Sequence, residues 1–257
     1  MLKKRMLRTC YWTVAALAVV VLIGSNAAIQ ATPTGTSIAI NFAADEVAPD
    51  GSAVTGAAGL AGTVNWNNFT LNASTAAQPL SKDVMSSSVS STAMVEWVSN
   101  NTWASTGRGE ENNTAPAGND RNLMTGYLDT NNTSETRVSV TGLDAEFTAV
   151  EYRVAVYING GVTGRGGQYT ITTPNQVKTA ELTDTAPFDG TYVGGENFLV
   201  FAGLTSPNFV LSATPTVGGT PRAPIDGIEI VAIPEPGSMV LLAVGAIGVL
   251  GLIIRRR

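Results

Sequence analysis

The sequence contains no histidine and a single cysteine, Cys10, which lies close to its amino terminus. The commonest catalytic arrangements therefore cannot form, because a Ser-His-Asp triad and a Cys-His pair both need histidine, and zinc sites need histidine or thiolate ligands. Without a second cysteine the chain cannot close an internal disulfide, so an exported domain would depend on its apolar core. These absences predict a protein that is not an enzyme and that needs no cofactor.

Basic residues are also scarce in the body of the chain. Between residues 32 and 232, 19 acidic residues face 8 basic ones, which gives a net charge of −11. An acidic domain repels the phosphate backbone, so no nucleic acid is expected as a partner. Carboxylates are the only abundant catalytic groups, and a glycoside hydrolase would have to pair two of the following: Glu96, Glu110, Glu111 and Asp129.

The amino terminus has the three parts of a secretory signal peptide. Four basic residues up to Arg8 precede an apolar run at 11–23, and small residues follow as far as Ala31. We expect this segment, 1–31, to form a helix in the precursor and to be cleaved after Ala27 or Ala31. The chain is therefore predicted to be exported.

The carboxyl terminus combines a stiff motif, an apolar run and a basic end. Pro234, Glu235 and Pro236 precede residues 237–254, an 18-residue stretch without charge, and the chain ends in Arg255, Arg256 and Arg257. A helix of this length measures about 27 Å, which is enough to cross the hydrocarbon core of a bilayer. The three arginines would hold its end in the cytoplasm.

This ending resembles the PEP-CTERM sorting signal, with Ile233 where that family usually has valine. The resemblance covers residues 233–257 and implies processing by an exosortase, a membrane-embedded enzyme. It also implies a protein of the cell envelope, outer surface or extracellular matrix that is transiently anchored in the inner membrane. We expect tail removal near residues 234–236 and association with an exopolysaccharide. A plain single-pass anchor with a stiff spacer is the alternative.

Residues 32–232 are predicted to fold as one all-β domain, a jelly-roll-like sandwich of two sheets. Short apolar runs are spaced 8 to 15 residues apart and are separated by polar and glycine-rich segments. About ten strands are expected, at 37–42, 64–71, 94–98, 123–128, 137–140, 150–158, 168–172, 177–182, 197–201, 209–213 and 225–231. Residues 43–61, 73–93 and 105–121 are predicted to be loops.

The strongest alternation lies at 150–158, where apolar side chains recur at every second position. Five glycines at 160–167 separate this strand from 168–172, so the two are predicted to form a hairpin with a long loop. The same period-2 pattern places six residues in the predicted core: Val154, Val156, Phe201, Phe209, Ile228 and Ile230.

Aromatic side chains next to amides are the best candidates for binding sugars. Sugar rings stack on flat aromatic faces, while asparagine satisfies the hydroxyl groups. Trp103 opens a polar loop after Asn101, and Tyr127 lies in a separate strand, so these three residues are the predicted glycan contacts. Trp66 and Trp97 lie within predicted strands and are expected in the core.

Two further interpretations stay open. A calcium ion needs oxygen ligands, which two groups of loop carboxylates could provide: Asp45, Glu46 and Asp50, or Asp184 and Asp189. The domain would otherwise be a structural adhesin or coat component that contacts proteins through an exposed apolar patch.

Overall fold

The computed structural model describes residues 35–44, 53–216 and 221–234. Within these ranges no helix is long and apolar enough to cross a membrane. The predicted signal peptide, the apolar run at 237–254 and the terminal arginines lie outside the described residues, as do Glu235 and Pro236. So do Asp45, Glu46 and Asp50 of the calcium alternative.

The described residues form thirteen strands and two short helices. The strands are β1 (Thr36–Phe42), β2 (Trp66–Phe69), β3 (Gln78–Val84), β4 (Ser87–Val98), β5 (Asn101–Ala104), β6 (Gly126–Asp129), β7 (Thr136–Thr141), β8 (Glu151–Tyr157), β9 (Gly166–Thr172), β10 (Val177–Thr183), β11 (Phe198–Leu204), β12 (Phe209–Pro215) and β13 (Gly227–Ile233). The helices are α1 (Asn119–Leu123) and α2 (Ala145–Thr148).

Eleven of these strands form one sheet in the order β10-β9-β12-β7-β4-β3-β1-β13-β8-β11, with β2 paired to β1. The sheet curls until its two edge strands approach each other, so that it is nearly closed into a barrel. Gln176 Nε2 of the loop before β10 donates to Gly203 O of β11 at 3.1 Å, and the Lys178 amine donates to Ala202 O. Strands β5 and β6 form a separate two-stranded ribbon.

The all-β prediction is confirmed, whereas the arrangement of the strands differs from the predicted two-sheet sandwich. The strands at 150–158 and 168–172 do not form the predicted hairpin, because β8 pairs with β11 and β13 while β9 pairs with β10 and β12. Alternation along a strand shows which side chains share a face. It contains no information about the neighbouring strand, which long-range pairing decides.

A hairpin replaces the loop predicted at 73–93. Strands β3 and β4 pair across a two-residue turn of Met85 and Ser86, whose φ angles of 51° and 67° are both positive, as in a type I′ turn. Exposed serines occupy the start of β4, so this stretch lacks the apolar alternation that identifies a strand. The turn also lacks the asparagine or glycine that usually marks such a geometry.

The inward face of the curled sheet holds the main core. All six predicted core residues are buried there, and each is at most 4 % exposed. Trp97 lies in the same core and Trp66 in a second cluster, so both tryptophans are buried as predicted. Period-2 alternation therefore identified the inward face correctly.

The outward face of the central strands is buried as well. Ala39, Ala155 and Tyr157 lie in a second cluster beneath residues 53–66 and other connecting segments. The chain crosses the sheet at this point, which explains why both faces of β8 are apolar toward its end.

A buried carboxylate fixes this crossing segment to the sheet. Glu229 of β13 accepts hydrogen bonds from the Tyr157 hydroxyl at 2.8 Å, the Ala61 N–H at 3.0 Å and the Thr63 hydroxyl at 2.6 Å. The Tyr157 hydroxyl accepts in turn from the Leu60 N–H at 2.7 Å. Burial raises the pKa of Glu229, and the donors oppose that rise. We call these residues the Glu229 cluster.

The barrel has two different ends. Because β1 and β13 are antiparallel and Ser37 pairs with Val231, the described chain enters and leaves at the same end, which we call the near end. Connections at the near end include the turn at 85–86 and the short loops at 173–176 and 205–208. The opposite, or far, end receives longer connections, which include 99–135, 158–165 and 184–197.

Candidate functional site

The β5–β6 ribbon lies at the far end and presents polar residues on one face. Trp103 pairs with Tyr127, and Asn101 pairs with Asp129, so these four side chains share a face of the ribbon. Asn101 is exposed, Trp103 and Asp129 are half-buried, and Tyr127 is buried. The ribbon thus brings the three predicted glycan contacts together with one of the predicted carboxylates.

The two aromatic residues of the ribbon have different surroundings. The Arg108 guanidinium lies 4.7 Å from the centre of the Trp103 ring and covers one of its faces. The Tyr127 hydroxyl accepts a hydrogen bond from the Gly161 N–H at 3.0 Å, and its ring is only 3 % exposed. Tyr127 therefore supports the site from beneath and offers no open face to a sugar, whereas Trp103 stays partly accessible.

Charged residues from three connecting segments gather beside this face. Arg222 Nε lies 3.4 Å from Asp129 Oδ2, while Arg165 and Glu110 are close enough to act on the charge of Asp129. We call these four residues the Asp129 cluster. Burial raises the pKa of Asp129 to about 6; the two arginines oppose this rise, and the charge of Glu110 adds to it.

Two carboxylate oxygens of the Asp129 cluster are buried without a hydrogen-bond partner: Asp129 Oδ1 and Glu110 Oε2. Buried polar atoms are almost always hydrogen-bonded, and an unmet acceptor costs about 1 to 3 kcal/mol. A carboxylate accepts hydrogen bonds and donates none when it is ionised. Each of these two oxygens therefore has unused acceptor capacity, which a hydroxyl or amide donor would satisfy if it reached the cluster.

The glycine-rich segment at 160–167 is packed against the same cluster. A Cβ atom at Gly161 would lie 2.8 Å from Glu110 Cγ, and one at Gly160 would lie 2.4 Å from Arg165 Cγ. These glycines let the backbone approach the charged side chains closely, which a larger residue would prevent.

A second polar network lies beneath the far end. Asp184 is fully buried and accepts from Asn112 Nδ2 at 2.6 Å, while Asp226 is fully buried and accepts from the Asn159 N–H at 2.6 Å. Asn112 Nδ2 also contacts Asn159 Oδ1 at 3.1 Å, so the network joins four chain segments. Burial raises the pKa of Asp184 to about 7 and that of Asp226 well above its usual range.

Asp184 and Asp189, which the sequence suggested as calcium ligands, have different hydrogen-bond partners in the structure. Asp184 is engaged with Asn112, whereas Asp189 is exposed and accepts from the Thr191 N–H at 2.8 Å. Within the part of the chain that the structure describes, no group of three or more acidic, histidine or cysteine side chains is arranged to hold a metal ion.

The remaining predicted acids lie apart from the Asp129 cluster. Glu96 lines a groove of about 390 Å³ on the outside of β4 and β7, together with Ser74, Arg137 and Ser139, and no other carboxylate of the described residues lines that groove. Glu111 is exposed and is contacted by the Thr106 hydroxyl at 3.4 Å. Of the four acids named for hydrolysis, the far end brings together Glu110 and Asp129.

Sequence reasoning did not identify the arginines of this site. Arg108, Arg165 and Arg222 are far apart in the chain and follow no motif. Their scarcity was the available signal, because only 8 basic residues occur between 32 and 232 and three of them meet at one end of the barrel.

At the near end, β13 continues directly into the proline-containing motif of the carboxyl terminus. Residues 232–257 match the family model of the PEP-CTERM protein-sorting motif. The chain carries a PEP-CTERM sorting signal. Pro234, Glu235, Pro236 and the three terminal arginines all lie within the matched residues, as the sequence predicted.

The PEP-CTERM signal marks an exported protein that an exosortase sorts to the cell envelope or surface. The match begins at Ala232, which belongs to β13, so the signal overlaps the last strand of the folded domain by two residues. No curated protein and no solved structure matches this chain. The polysaccharide and membrane-anchoring predictions therefore depend on the chemistry of the described residues and on the sorting signal.

Proposed function

We propose that this protein is a non-enzymatic component of the cell surface or extracellular matrix whose far end binds polysaccharide, the cell's own exopolysaccharide in particular. The observation that supports this proposal most is the pair of unpartnered oxygens in the Asp129 cluster, which lies beside the partly accessible Trp103. Sorting by the PEP-CTERM signal brings the domain to the compartment in which such a matrix is made.

The chemistry of the Asp129 cluster suits a hydroxyl-rich ligand. Sugar hydroxyls donate hydrogen bonds, which Glu110 Oε2 and Asp129 Oδ1 lack, and they also accept from arginine or asparagine. The exposed Asn101 provides an amide on the same face of the ribbon. The open part of the Trp103 ring provides an apolar surface for the C–H face of a sugar.

The orientation of the domain fits this role. The sorting signal leaves from the near end, and the Asp129 cluster lies at the far end. In the proposed pathway, residues 237–254 anchor the precursor transiently in the inner membrane, and the exosortase removes the tail near residues 234–236. The ligand-binding face would then point away from the site of attachment.

Binding of the exported protein to polysaccharide is the decisive measurement. On a glycan array that includes the producer's own matrix, we expect Asp129→Asn and Trp103→Ala each to weaken binding about 5- to 30-fold, which corresponds to about 1 to 2 kcal/mol. Leu71→Ala changes a residue that is 54 % exposed and lies outside the cluster, so it should bind as the unchanged protein does. Absence of binding to every polysaccharide would contradict the proposal.

A carboxylate-dependent glycoside hydrolase is the competing function, because Glu110 and Asp129 are neighbours and the pKa of Asp129 is raised to about 6, as a general acid requires. We expect no release of reducing ends from any polysaccharide that the protein binds. Hydrolysis that Glu110→Gln abolishes would establish the enzyme instead. A structural adhesin that contacts other proteins would retain its partners in both Asp129→Asn and Trp103→Ala.

A further inference from the structure

The sorting signal begins inside the folded domain, without a spacer. Ala232 pairs with Tyr152 and Ile233 pairs with Glu151, while Val231 pairs with Ser37 on the other side of β13. Ala232 and Ile233, the first two residues of the matched signal, are therefore part of a strand that has neighbours on both sides. An enzyme that reads the signal cannot extract them without breaking their pairing with β8.

An exposed apolar turn lies next to this point. Thr36 pairs with Val84, so the β3–β4 turn is separated from the end of β13 only by β1. Two strand spacings of about 4.8 Å place the turn roughly 10 Å from the base of the signal. Met85 at its tip is 76 % exposed, and Val89, the third residue of β4, is 41 % exposed. We call Met85, Ser86 and Val89 the near-end surface.

We propose that the near-end surface is a contact surface for the membrane-embedded enzyme that processes the PEP-CTERM signal. The three residues at 234–236 span only about 10 Å when fully extended, at about 3.3 Å each. An enzyme that holds them must therefore meet the near end of the barrel while it acts. Methionine is an adaptable apolar side chain that suits such a contact. The proposal is independent of polysaccharide binding, which concerns the opposite end.

The rate of tail removal in exosortase-positive cells tests the proposal. Intact-mass analysis of the full chain over time gives the fraction that retains residues 255–257. We expect Met85→Asp to slow removal at least threefold, and a six-residue Gly-Ser insertion between Ile233 and Pro234 to do the same because it moves the near-end surface away. Leu71→Asp, which introduces the same charge at an exposed far-end position, should be processed at the normal rate.

Folding should not obscure the result. Met85 is exposed and has a positive φ, a conformation that aspartate tolerates better than most residues, and unchanged circular dichroism and melting temperature would confirm the fold. Normal processing of Met85→Asp, or faster processing after the insertion, would overturn the proposal and make the domain a passive obstruction. Co-sedimentation of the processed, tail-free protein with phosphatidylglycerol vesicles, lost in Met85→Asp, would also overturn it, because the bilayer would then be the partner.

Discussion

Replacing Glu229 by alanine is expected to lower the free energy of unfolding by about 3 to 5 kcal/mol. The change removes the acceptor for the Tyr157 hydroxyl, the Ala61 N–H and the Thr63 hydroxyl in a region where Glu229 itself is fully buried. Each buried donor that is left without an acceptor costs about 1 to 3 kcal/mol. Chemical denaturation of the exported protein, monitored by tryptophan fluorescence, measures the effect.

Glu229→Gln provides the matched control. Glutamine has nearly the same shape and keeps one acceptor oxygen, so we expect an intermediate loss of about 1 to 3 kcal/mol. Glu181→Ala removes a carboxylate from an exposed position of β10 and should change stability by less than about 0.5 kcal/mol. A loss below about 1 kcal/mol for Glu229→Ala would show that the segment around Thr63 is not held by this carboxylate.

The protein is expected to become less stable as the pH rises from about 4 to about 7. Burial raises the pKa of Asp184 to about 7, from an ordinary value of 3.8, so the folded form keeps a proton that the unfolded form has already released. The resulting stabilisation is complete below about pH 4 and is lost as the pH approaches 7. A shift of this size corresponds to on the order of 4 kcal/mol. The raised pKa of Asp226 acts in the same direction.

The variant Asp184→Asn separates this effect from the rest of the molecule. A neutral amide does not titrate, so the melting temperature of the variant should depend less steeply on pH between 4 and 7. Asp184 accepts from both Asn112 Nδ2 and the Ala186 N–H, and asparagine can keep only one of these bonds, so the variant should be less stable than the unchanged protein at pH 4. A melting temperature of the unchanged protein that rises between pH 4 and pH 7 would contradict the assignment.

Acid should weaken a different contact. Asp144 accepts from Ser91, Thr92 and Lys82, and although burial opposes them, these hydrogen bonds hold its pKa at about 2. Its contribution is present above about pH 4 and is lost as the pH falls toward 2. Maximum stability is therefore expected near pH 4, between the two titrations.

The sequence predicted those parts of the fold that local periodicity determines. The strand at 150–158 corresponds to β8, with Val154 and Val156 in the core. This strand could be predicted because the side chains that face the core recur at every second position. The sequence did not predict the β3–β4 hairpin, whose serines and Met-Ser turn have no apolar signature. The order of the strands in the sheet could not be predicted either, because pairing partners such as β1 and β13 are distant in the chain.

Individual residues of the candidate site were predicted from the sequence, but their proximity was not. Trp103, Glu110 and Asp129 were each named for their chemistry, but nothing in the spacing showed that the last two would meet. Tyr127 was named as a sugar contact for its ring, and only the structure shows that the residue is buried. The sorting signal, by contrast, is contiguous and could be recognised without any structure.

The position of β13 determines when the domain can finish folding during export. This last strand lies between β1, the first strand, and β8, so the sheet lacks its centre until residues 227–233 have emerged. Contacts between such distant segments form slowly. The sorting signal follows directly, so the sheet is complete only when the chain has emerged up to the start of the signal. Completion of the fold and emergence of the sorting signal are therefore linked through a single strand.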